Sequence, residues 1–267
     1  MKRKNKAPRS SIKLAFVFFI FVVVFIAISL VFKVSVLIAN SKYNNDIRFT
    51  LKVANGKDLI ILSFAPSSQS ISKLEIFKAP KDLNINKFLG IPTEGFVVTT
   101  LNIKEGKISD LMQGFFLNYG KLETDLTIID MVRLYLFAKT IPNHNILEKS
   151  ISASLSSTQL DKIVGQLFKD GLIEKENAVI EVVNTTDTAG LGARLARVIS
   201  NMGGNVVIVK SSERLIRESV ISYFGKKTYT VKKLEKILGY KSNLMDTKTI
   251  ADIVIMIGAD SIGTKTF

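Results

Sequence analysis

The polar residues best placed for chemistry lie together, between an apolar run and the start of an amphipathic helix. The run covers 179–183, a polar turn covers 184–188, and a glycine stands just before the helix. Backbone N–H groups at a helix start can hold an anion, but Asn, Thr and Asp at this place also serve as ordinary caps and turns. Both interpretations stay open. The candidate ligand-binding residues are Asn184, Thr185, Thr186, Asp187 and Gly190.

The glycines of this stretch do not form a nucleotide-binding fingerprint. Gly190 and Gly192 match its first two glycines, but Leu195 stands where the third belongs. The fingerprint also requires its glycines to follow the strand directly, and here a polar turn intervenes. No Gly-Lys-Ser/Thr occurs, which excludes a P-loop. We therefore expect the two glycines to let the helix start pack closely on the sheet.

The amino-acid composition of the chain argues against several classes of functional site. The 267-residue chain has no Cys and a single His, His144. Disulfides, Cys-based or His-rich metal sites and a conventional Ser–His triad are therefore not expected, and we predict no metal site. The formal charge is +14, and six of the basic residues fall within the first 13 positions. This excess favours anionic partners without choosing among membrane surfaces, wall polymers and nucleic acids.

The N-terminal region contains a candidate membrane span. Residues 14–32 carry no charge, and with the apolar residues that follow they predict a transmembrane helix over 14–36. The apolar core of a cleaved signal peptide is usually about 7–15 residues, so an uncleaved anchor is favoured. Basic residues in the tail, 1–13, place the N-terminus in the cytoplasm. We therefore predict a single-pass plasma-membrane protein whose domains, beyond a linker at 37–45, are extracytoplasmic.

Residues 46–142 are predicted to form a small mixed α/β domain. Apolar runs over 58–64 and 71–77 flank a Pro-Ser-Ser-Gln turn, which is typical of a hairpin. Apolar residues then recur at helical spacing over 111–119 and 126–139. The domain is thus expected to begin with a hairpin and to end with helices.

Residues 143–177 are predicted to be a linker with one helix, over 159–172. A Pro and a Ser-rich stretch separate this helix from the preceding domain. The helix and the GLIEKE segment at its end are similar to the recognition half of a winged helix, which would indicate DNA binding. The alternative is a connecting helix between two exported domains. The predicted topology favours that alternative, and we expect no nucleic acid partner.

The last domain, 178–262, is predicted to have the element order βαββαβ. The expected strands cover 178–183, 205–210, 217–224 and 251–257, and the expected helices cover 189–202 and 230–238. Two βα crossovers in so short a domain favour a four-stranded sheet with both helices on one face, the split-βαβ or ferredoxin-like plait. The fold class predicted for the whole chain is therefore α/β (α+β), with one N-terminal transmembrane helix.

This last domain resembles the LytR C-terminal domain. The resemblance rests on IEVVNTTDTAGLGARLARVISNMGGNVVIV, on a YFG after a strand and on the closing ADIVIMIGAD. In that family an Asn and a small polar residue end the first strand, and Gly-Leu-Ala opens the helix. The resemblance implies an extracytoplasmic accessory or ligand-binding module of the cell envelope. The matching positions are Asn184, Thr185, Gly190 and Leu191, with Gly192 in place of Ala.

The hairpin region, DLIILSFAPSSQSISKLEIFKAPKDLNI, resembles the opening of the LytR–CpsA–Psr catalytic domain in a shortened form. That family transfers undecaprenyl-linked glycopolymers to the cell wall. The resemblance puts Asp58 on a metal-associated carboxylate, Asp82 on a second Asp, and Lys81 on the Arg before it. Gly56 stands where the family has an Arg, and Lys81 lacks the guanidinium fork that grips a diphosphate. The candidate catalytic residues are thus Asp58, Lys81 and Asp82, with Mg²⁺ only if the enzyme hypothesis holds.

The sequence as a whole predicts a membrane-anchored, extracytoplasmic protein of cell-envelope or cell-wall polymer assembly. We expect it to act as a non-catalytic binding or accessory module without a cofactor. Its expected partners are the membrane and a wall glycopolymer or an envelope-assembly protein. The alternative is a phosphotransferase that attaches undecaprenyl-linked glycopolymers to the cell wall. The binding-module and phosphotransferase hypotheses differ in whether Asp58, Lys81 and Asp82 converge on one cleft.

Overall fold

The computed structural model describes residues 10–56, 58–77, 79–80, 83–103 and 106–264, with side chains from Lys13 onward. The chain divides into two compact units, Met1–Ser41 and Lys42–Phe267. The first unit contains the predicted membrane span, and the second contains both predicted α/β domains.

The first unit is built around one long helix, α1 (Ser10–Ala39). Its most apolar window has a mean hydropathy of 3.3, and none of that window is buried, so by length and composition α1 can cross a membrane. The Ser35 hydroxyl donates to the Val31 carbonyl at 2.8 Å, which satisfies it within the helix. The predicted span over 14–36 lies inside α1, which continues to Ala39.

The first domain of the second unit is built on a mixed sheet. Its strands are β1 (Phe49–Asn55), β2 (Asp58–Ala65), β3 (Ser70–Phe77), β4 (Gly95–Val98), β5 (Glu123–Thr124) and β6 (Ile146–Ser152). They lie in the order β5-β4-β1-β2-β3-β6. β2 and β3 pair antiparallel, so the predicted hairpin is confirmed. β4 and β6 pair in parallel with β1 and β3.

Helices cover both faces of this sheet. α3 (Ile108–Leu117) and α4 (Ile128–Thr140) pack on one face, and α2 (Ile85–Leu89) and α5 (Ser157–Phe168) pack on the other. Side chains of β2 alternate between the two cores, with Ile60 in the first and Ile61 in the second. A strand that is buried on both faces has a continuous apolar sequence, which explains the run over 58–64.

Residues 143–177, predicted to be a linker with one helix, contain β6, α5 and a further helix, α6 (Gly171–Glu176). The helix predicted over 159–172 is interrupted because Asp170 is extended and accepts a hydrogen bond from Leu172 N at 3.1 Å, which caps α6. β6 lies at the edge of the first sheet, and its middle residues are exposed. Its sequence therefore lacks the apolar pattern of an inner strand.

The second domain is also a helix-covered mixed sheet. Its strands are β7 (Val179–Asn184), β8 (Asn205–Ser211), β9 (Val220–Tyr223), β10 (Lys241–Leu244) and β11 (Ile253–Ile257). α7 (Leu191–Asn201) and α8 (Tyr229–Leu238) share one apolar core with alternate side chains of β7 and β11. Both helices therefore cover the same face of the sheet, as predicted, and the α/β class is confirmed.

The strand order corrects the predicted split-βαβ plait. The order is β10-β9-β11-β7-β8, so β7 and β8 are direct parallel neighbours with no strand between them. β11 is parallel to β7 on its other side, and β10, which the sequence did not predict, is parallel to β9. The start of α7 packs across this adjacent pair, because a Cβ added to Gly192 would lie 3.3 Å from Val209 of β8 and 3.9 Å from Val182 of β7.

Candidate functional site

The two α/β domains contact each other where α7 meets the end of α2. The last carbonyl groups of a helix have no partner within it. Here Arg197 of α7 donates to two of them, at 3.0 and 3.1 Å, and the Asn201 amide donates to the next two, at 3.2 and 3.1 Å. Two side chains of the second domain thus cap a helix of the first. The accepting carbonyls belong to Lys87, Phe88, Leu89 and Gly90.

Close approach at this contact depends on Gly90. Its φ is +62°, and an added Cβ would lie 2.8 Å from the Asn201 amide nitrogen and 3.1 Å from the Arg197 guanidinium. Asp161 of α5 holds Arg197 from the other side, with Oδ1 2.7 Å from Nη2. The polar side chains of α7 are thus used for contact with the first domain.

A second part of the interface is a buried charge pair. The side chains of Lys233 on α8 and Glu94 are only 3% and 8% exposed, and their Nζ and Oε1 atoms are 2.9 Å apart. Lys233 also donates to the Arg48 carbonyl. The other Glu94 oxygen accepts from Thr50 N at 2.9 Å. Both buried charges therefore have several partners, as burial of an ion pair requires.

Arg48 and Asp170 extend this network. Arg48 Nη1 donates to the Leu167 carbonyl at 3.2 Å, and its Nε has no hydrogen-bond partner among the described residues. Burial lowers the pKa of the Arg48 guanidinium, and the charges of Asp170, Tyr229 and Glu94 oppose this. The Tyr229 hydroxyl donates to Asp170 at 2.8 Å. Burial raises the pKa of Tyr229, and the charge of Asp170 raises it further.

A cleft of about 300 Å³ opens beside this network, with walls from both domains. The Lys236 ammonium, on α8, donates to the Lys42 carbonyl at 2.8 Å, and the Lys42 ammonium is 2.6 Å from an Asp125 oxygen. Burial lowers the pKa of Lys236, with Glu94 and Lys233 acting in opposite directions. We name this feature the interdomain cleft. Its lining residues are Lys42, Asn86, Pro92, Thr93, Glu94, Lys236 and Ile237.

One of the predicted catalytic residues, Asp58, is described, and it does not line the interdomain cleft. Asp58 begins β2, is partly buried, and lines a depression of about 60 Å³ together with Lys52 and Leu83. Lys81 and Asp82 lie outside the described residues, so their convergence with Asp58 stays a prediction. In the described part of the chain, no group of three or more His, Cys, Asp or Glu side chains could hold a metal ion.

The predicted ligand-binding loop is held by its own hydrogen bonds. Asn184 Nδ2 donates to the Thr188 carbonyl at 2.9 Å, and its Oδ1 accepts from Thr186 N and Oγ1 at 3.1 and 2.8 Å. Thr185 Oγ1 donates to the Ile257 carbonyl at 2.7 Å. Gly190, with a φ of +76°, is the N-cap of α7, while Asp187 is exposed. The loop is therefore internally bonded, and its ligand-binding role stays a prediction.

The interdomain cleft was not predicted from the sequence. Lys233 and Lys236 are three positions apart on α8, a spacing that puts both on one helix face. That spacing was the one feature of the local sequence that could have indicated the cleft. The other wall comes from Lys42 and 86–94, more than 140 residues earlier in the chain, and no local pattern joins such distant segments.

The chain thus combines a helix that can span a membrane with two docked α/β domains. Residues 177–260 match the family described as LytR cell envelope-related transcriptional attenuator. The second domain therefore matches the LytR C-terminal family, as the sequence resemblance implied. No curated protein sequence matches the chain.

Two solved structures from Bacillus subtilis show partial similarity. The transcriptional regulator yvhJ is 12% identical, with a TM-score of 0.30, over 39% of this chain and 82% of that one. TagT is 10% identical, with a TM-score of 0.32, over 47% of this chain and 91% of that one. At these scores neither structure supports an inference about the function of this chain.

Proposed function

We propose that this protein is a single-pass plasma-membrane protein whose α/β domains lie outside the cytoplasm and act as a non-catalytic binding module in cell-envelope polymer assembly. The observation that carries the proposal is the LytR C-terminal domain at 177–260, in a chain that starts with an apolar helix. The expected partner is a wall glycopolymer or a protein of the machinery that assembles it.

The interdomain cleft supports binding rather than catalysis. A general base must be free to take a proton from its substrate. Glu94 is the carboxylate among the lining residues, and it is held by Lys233 and by Thr50 N. The remaining charged lining groups are lysines, which suit electrostatic binding of an anion.

The direct test uses the full chain in nanodiscs. We expect it to retain purified wall glycopolymer or undecaprenyl-diphosphate lipid equally with and without Mg²⁺. Asp58→Asn should bind as the unaltered chain does, as should Asp246→Asn, a matched change at an exposed carboxylate of the second domain. Absence of binding to every polymer and lipid would contradict the proposal.

The same preparation tests the transferase alternative, which the position of Asp58 beside Lys52 in a small depression keeps open. Incubation with lipid-linked glycopolymer and a wall acceptor should give no transferred product. A product that requires Mg²⁺ and disappears in Asp58→Asn, but not in Asp246→Asn, would establish the enzyme instead.

The orientation is tested separately, by a reporter fused after residue 267. Activity of a periplasmic or cell-surface reporter, and silence of a cytoplasmic one, is the expected result. The reverse pattern would remove the extracytoplasmic role.

A further inference from the structure

We propose that the interdomain cleft is a binding site for a phosphate-bearing anion, which is held by the ammonium groups of Lys42 and Lys236. The inference rests on the proposed binding function and names the chemical class of its ligand.

The geometry brings one lysine from each domain to the same opening. The Lys236 ammonium donates to the Lys42 carbonyl at 2.8 Å, so the two residues are linked directly. An ammonium has three donors, and the described hydrogen bonds use one on Lys236 and one on Lys42. Each of these two ammonium groups therefore has two N–H donors available to an anion in the cleft.

Among the lining side chains of the cleft, Lys42 and Lys236 are positive and Glu94 is negative, so the lining itself has one positive charge in excess. Glu94 is matched by Lys233 at 2.9 Å, and Asp125 is matched by Lys42 at 2.6 Å. Lys236 has no ion-pair partner within 4.0 Å among the described residues, although the charges of Asp46, Asp130 and Glu94 act on it from further away. Lys236 is an exposed cation of the lining, and an anion placed next to it is attracted by its charge.

The size and the remaining lining favour a small oxyanion. A cleft of about 300 Å³ lies at the lower end of the range for ligand sites, which suits a phosphate or diphosphate group. Lysine binds phosphate as a mobile point charge. Pro92 and Ile237 supply apolar surface, which can accept the organic part of a phosphoester.

The phosphate can come from a lipid headgroup or from a soluble or polymeric phosphoester. Lys42 is the third residue after Ala39, the last residue of α1, so a lipid source must be included in the test. The experiment therefore needs two separate arms, one with anionic lipid and one with soluble diphosphate.

The test measures how fast an amine-acylating reagent labels single lysines of the full chain, read by mass spectrometry. The chain is placed in phosphatidylcholine nanodiscs with or without inorganic pyrophosphate, or in nanodiscs that contain phosphatidylglycerol. Lys232, an exposed lysine on the same helix outside the lining, is the internal control. We expect labelling of Lys42 and Lys236 to slow by about threefold or more with one ligand, while Lys232 is unchanged.

Protection by pyrophosphate alone identifies a soluble or polymeric phosphoester, and protection by phosphatidylglycerol alone identifies a lipid headgroup. Equal protection of Lys232 would mean unspecific screening and would overturn the proposal. Absence of protection in both arms would overturn it too.

Matched variants check the same point by affinity. Lys236→Gln should weaken binding of the protecting ligand about tenfold, and Lys232→Gln should leave it unchanged. Lys42→Gln is the second variant if the first unfolds, as judged by circular dichroism. If wall polymer still binds the full chain while these variants have no effect, the cleft proposal fails and the proposed function stands. If polymer binding is absent but pyrophosphate protects the two lysines, the proposed function fails and the cleft proposal stands.

Discussion

At the scale of single residues, the domain interface depends on charges that have been removed from water. Lys233 and Glu94 are both nearly inaccessible, and each is held by a backbone group as well as by its partner. Removal of one member of such a pair leaves the other charge buried without a partner, which lowers stability more than replacing both residues by apolar groups. Lys233 therefore holds the two domains together more than it serves ligand binding.

We predict that Lys233→Met lowers the free energy of unfolding by about 3 kcal/mol, because it leaves the Glu94 carboxylate buried without its cation. The measurement is chemical denaturation of the full chain in detergent. Lys232→Met, at the exposed neighbouring position, should change stability by less than about 0.5 kcal/mol. The double variant Lys233→Met/Glu94→Leu should be more stable than the sum of its single changes predicts. Simple additivity would show that the pair is not coupled.

At the scale of helices and strands, the sequence predicted the elements that have a strong apolar pattern. β2, β3, β7 and β11 lie close to their predicted ranges because their side chains alternate into buried cores. β6 and β10 were missed because both are edge strands with mostly exposed, polar residues. Such strands are fixed by pairing with a neighbour, and a single sequence contains no local record of that neighbour.

The order of the strands and the position of the interdomain cleft could not be predicted for a related reason. Direct pairing of β7 with β8 and their separation by another strand produce the same order of elements along the chain. The two walls of the cleft depend on how the domains dock. That docking is set by α7 polar groups that cap α2, and one sequence does not show which carbonyls Arg197 and Asn201 will reach.

The turn after α2 gives a prediction at this scale. Gly90 and Gly56 both have a left-handed backbone, with φ of +62° and +57°, but only the Cβ added to Gly90 would meet other atoms within 4 Å. Gly56→Ala should lower the free energy of unfolding by about 1 kcal/mol through backbone strain alone. Gly90→Ala should lower it by at least about 1 kcal/mol more, because the Asn201 amide must move and its hydrogen bonds weaken. Equal losses in thermal or chemical denaturation would contradict the role of Gly90 in domain contact.

The start of α8 gives a pH-dependent prediction. The Glu176 carboxylate accepts from Tyr229 N and Thr230 N, each at 2.8 Å, and from Thr230 Oγ1 at 2.5 Å. Burial raises the pKa of Glu176, but these hydrogen bonds, together with one from Thr228, outweigh it and lower the pKa overall. Because the folded pKa is below the unfolded one, the stabilisation is present above the unfolded pKa. It is lost as the pH falls through the folded pKa.

Glu176→Gln should therefore lower the free energy of unfolding by about 0.5 kcal/mol at pH 7, because the charged group stabilises the helix start but its exposure to water weakens the effect. The difference between the variant and the unaltered chain should shrink as the pH falls below about 4. Denaturation curves at several pH values measure it. Glu213→Gln, at an exposed carboxylate of the same domain, is the control and should change the free energy of unfolding by less than about 0.5 kcal/mol.

At the scale of the whole molecule, the described contacts join both α/β domains into the one unit that follows Ser41. Arg197 and Asn201 satisfy four consecutive carbonyls at the end of α2, and Lys233 joins α8 to Glu94. Contacts of this kind make the folding of one domain dependent on the other. They also fix the interdomain cleft, because its walls belong to both domains.

Because the two domains depend on each other, we predict that the unit unfolds in one cooperative transition. Loss of the side chains that cap α2 should separate this transition into two. In Arg197→Ala/Asn201→Ala the α2 carbonyls lose their donors, and Asp161 loses its guanidinium partner at 2.7 Å. Calorimetry of the full chain in detergent should then show two transitions, or a broadened one whose calorimetric enthalpy exceeds its van't Hoff enthalpy. Arg214→Ala, at an exposed position of the second domain, removes the same type of side chain and should keep the single transition. If the double variant also unfolds in one transition, the cap is not what couples the domains, and the contacts of α8 with the first domain, the Lys233–Glu94 pair among them, would have to do so.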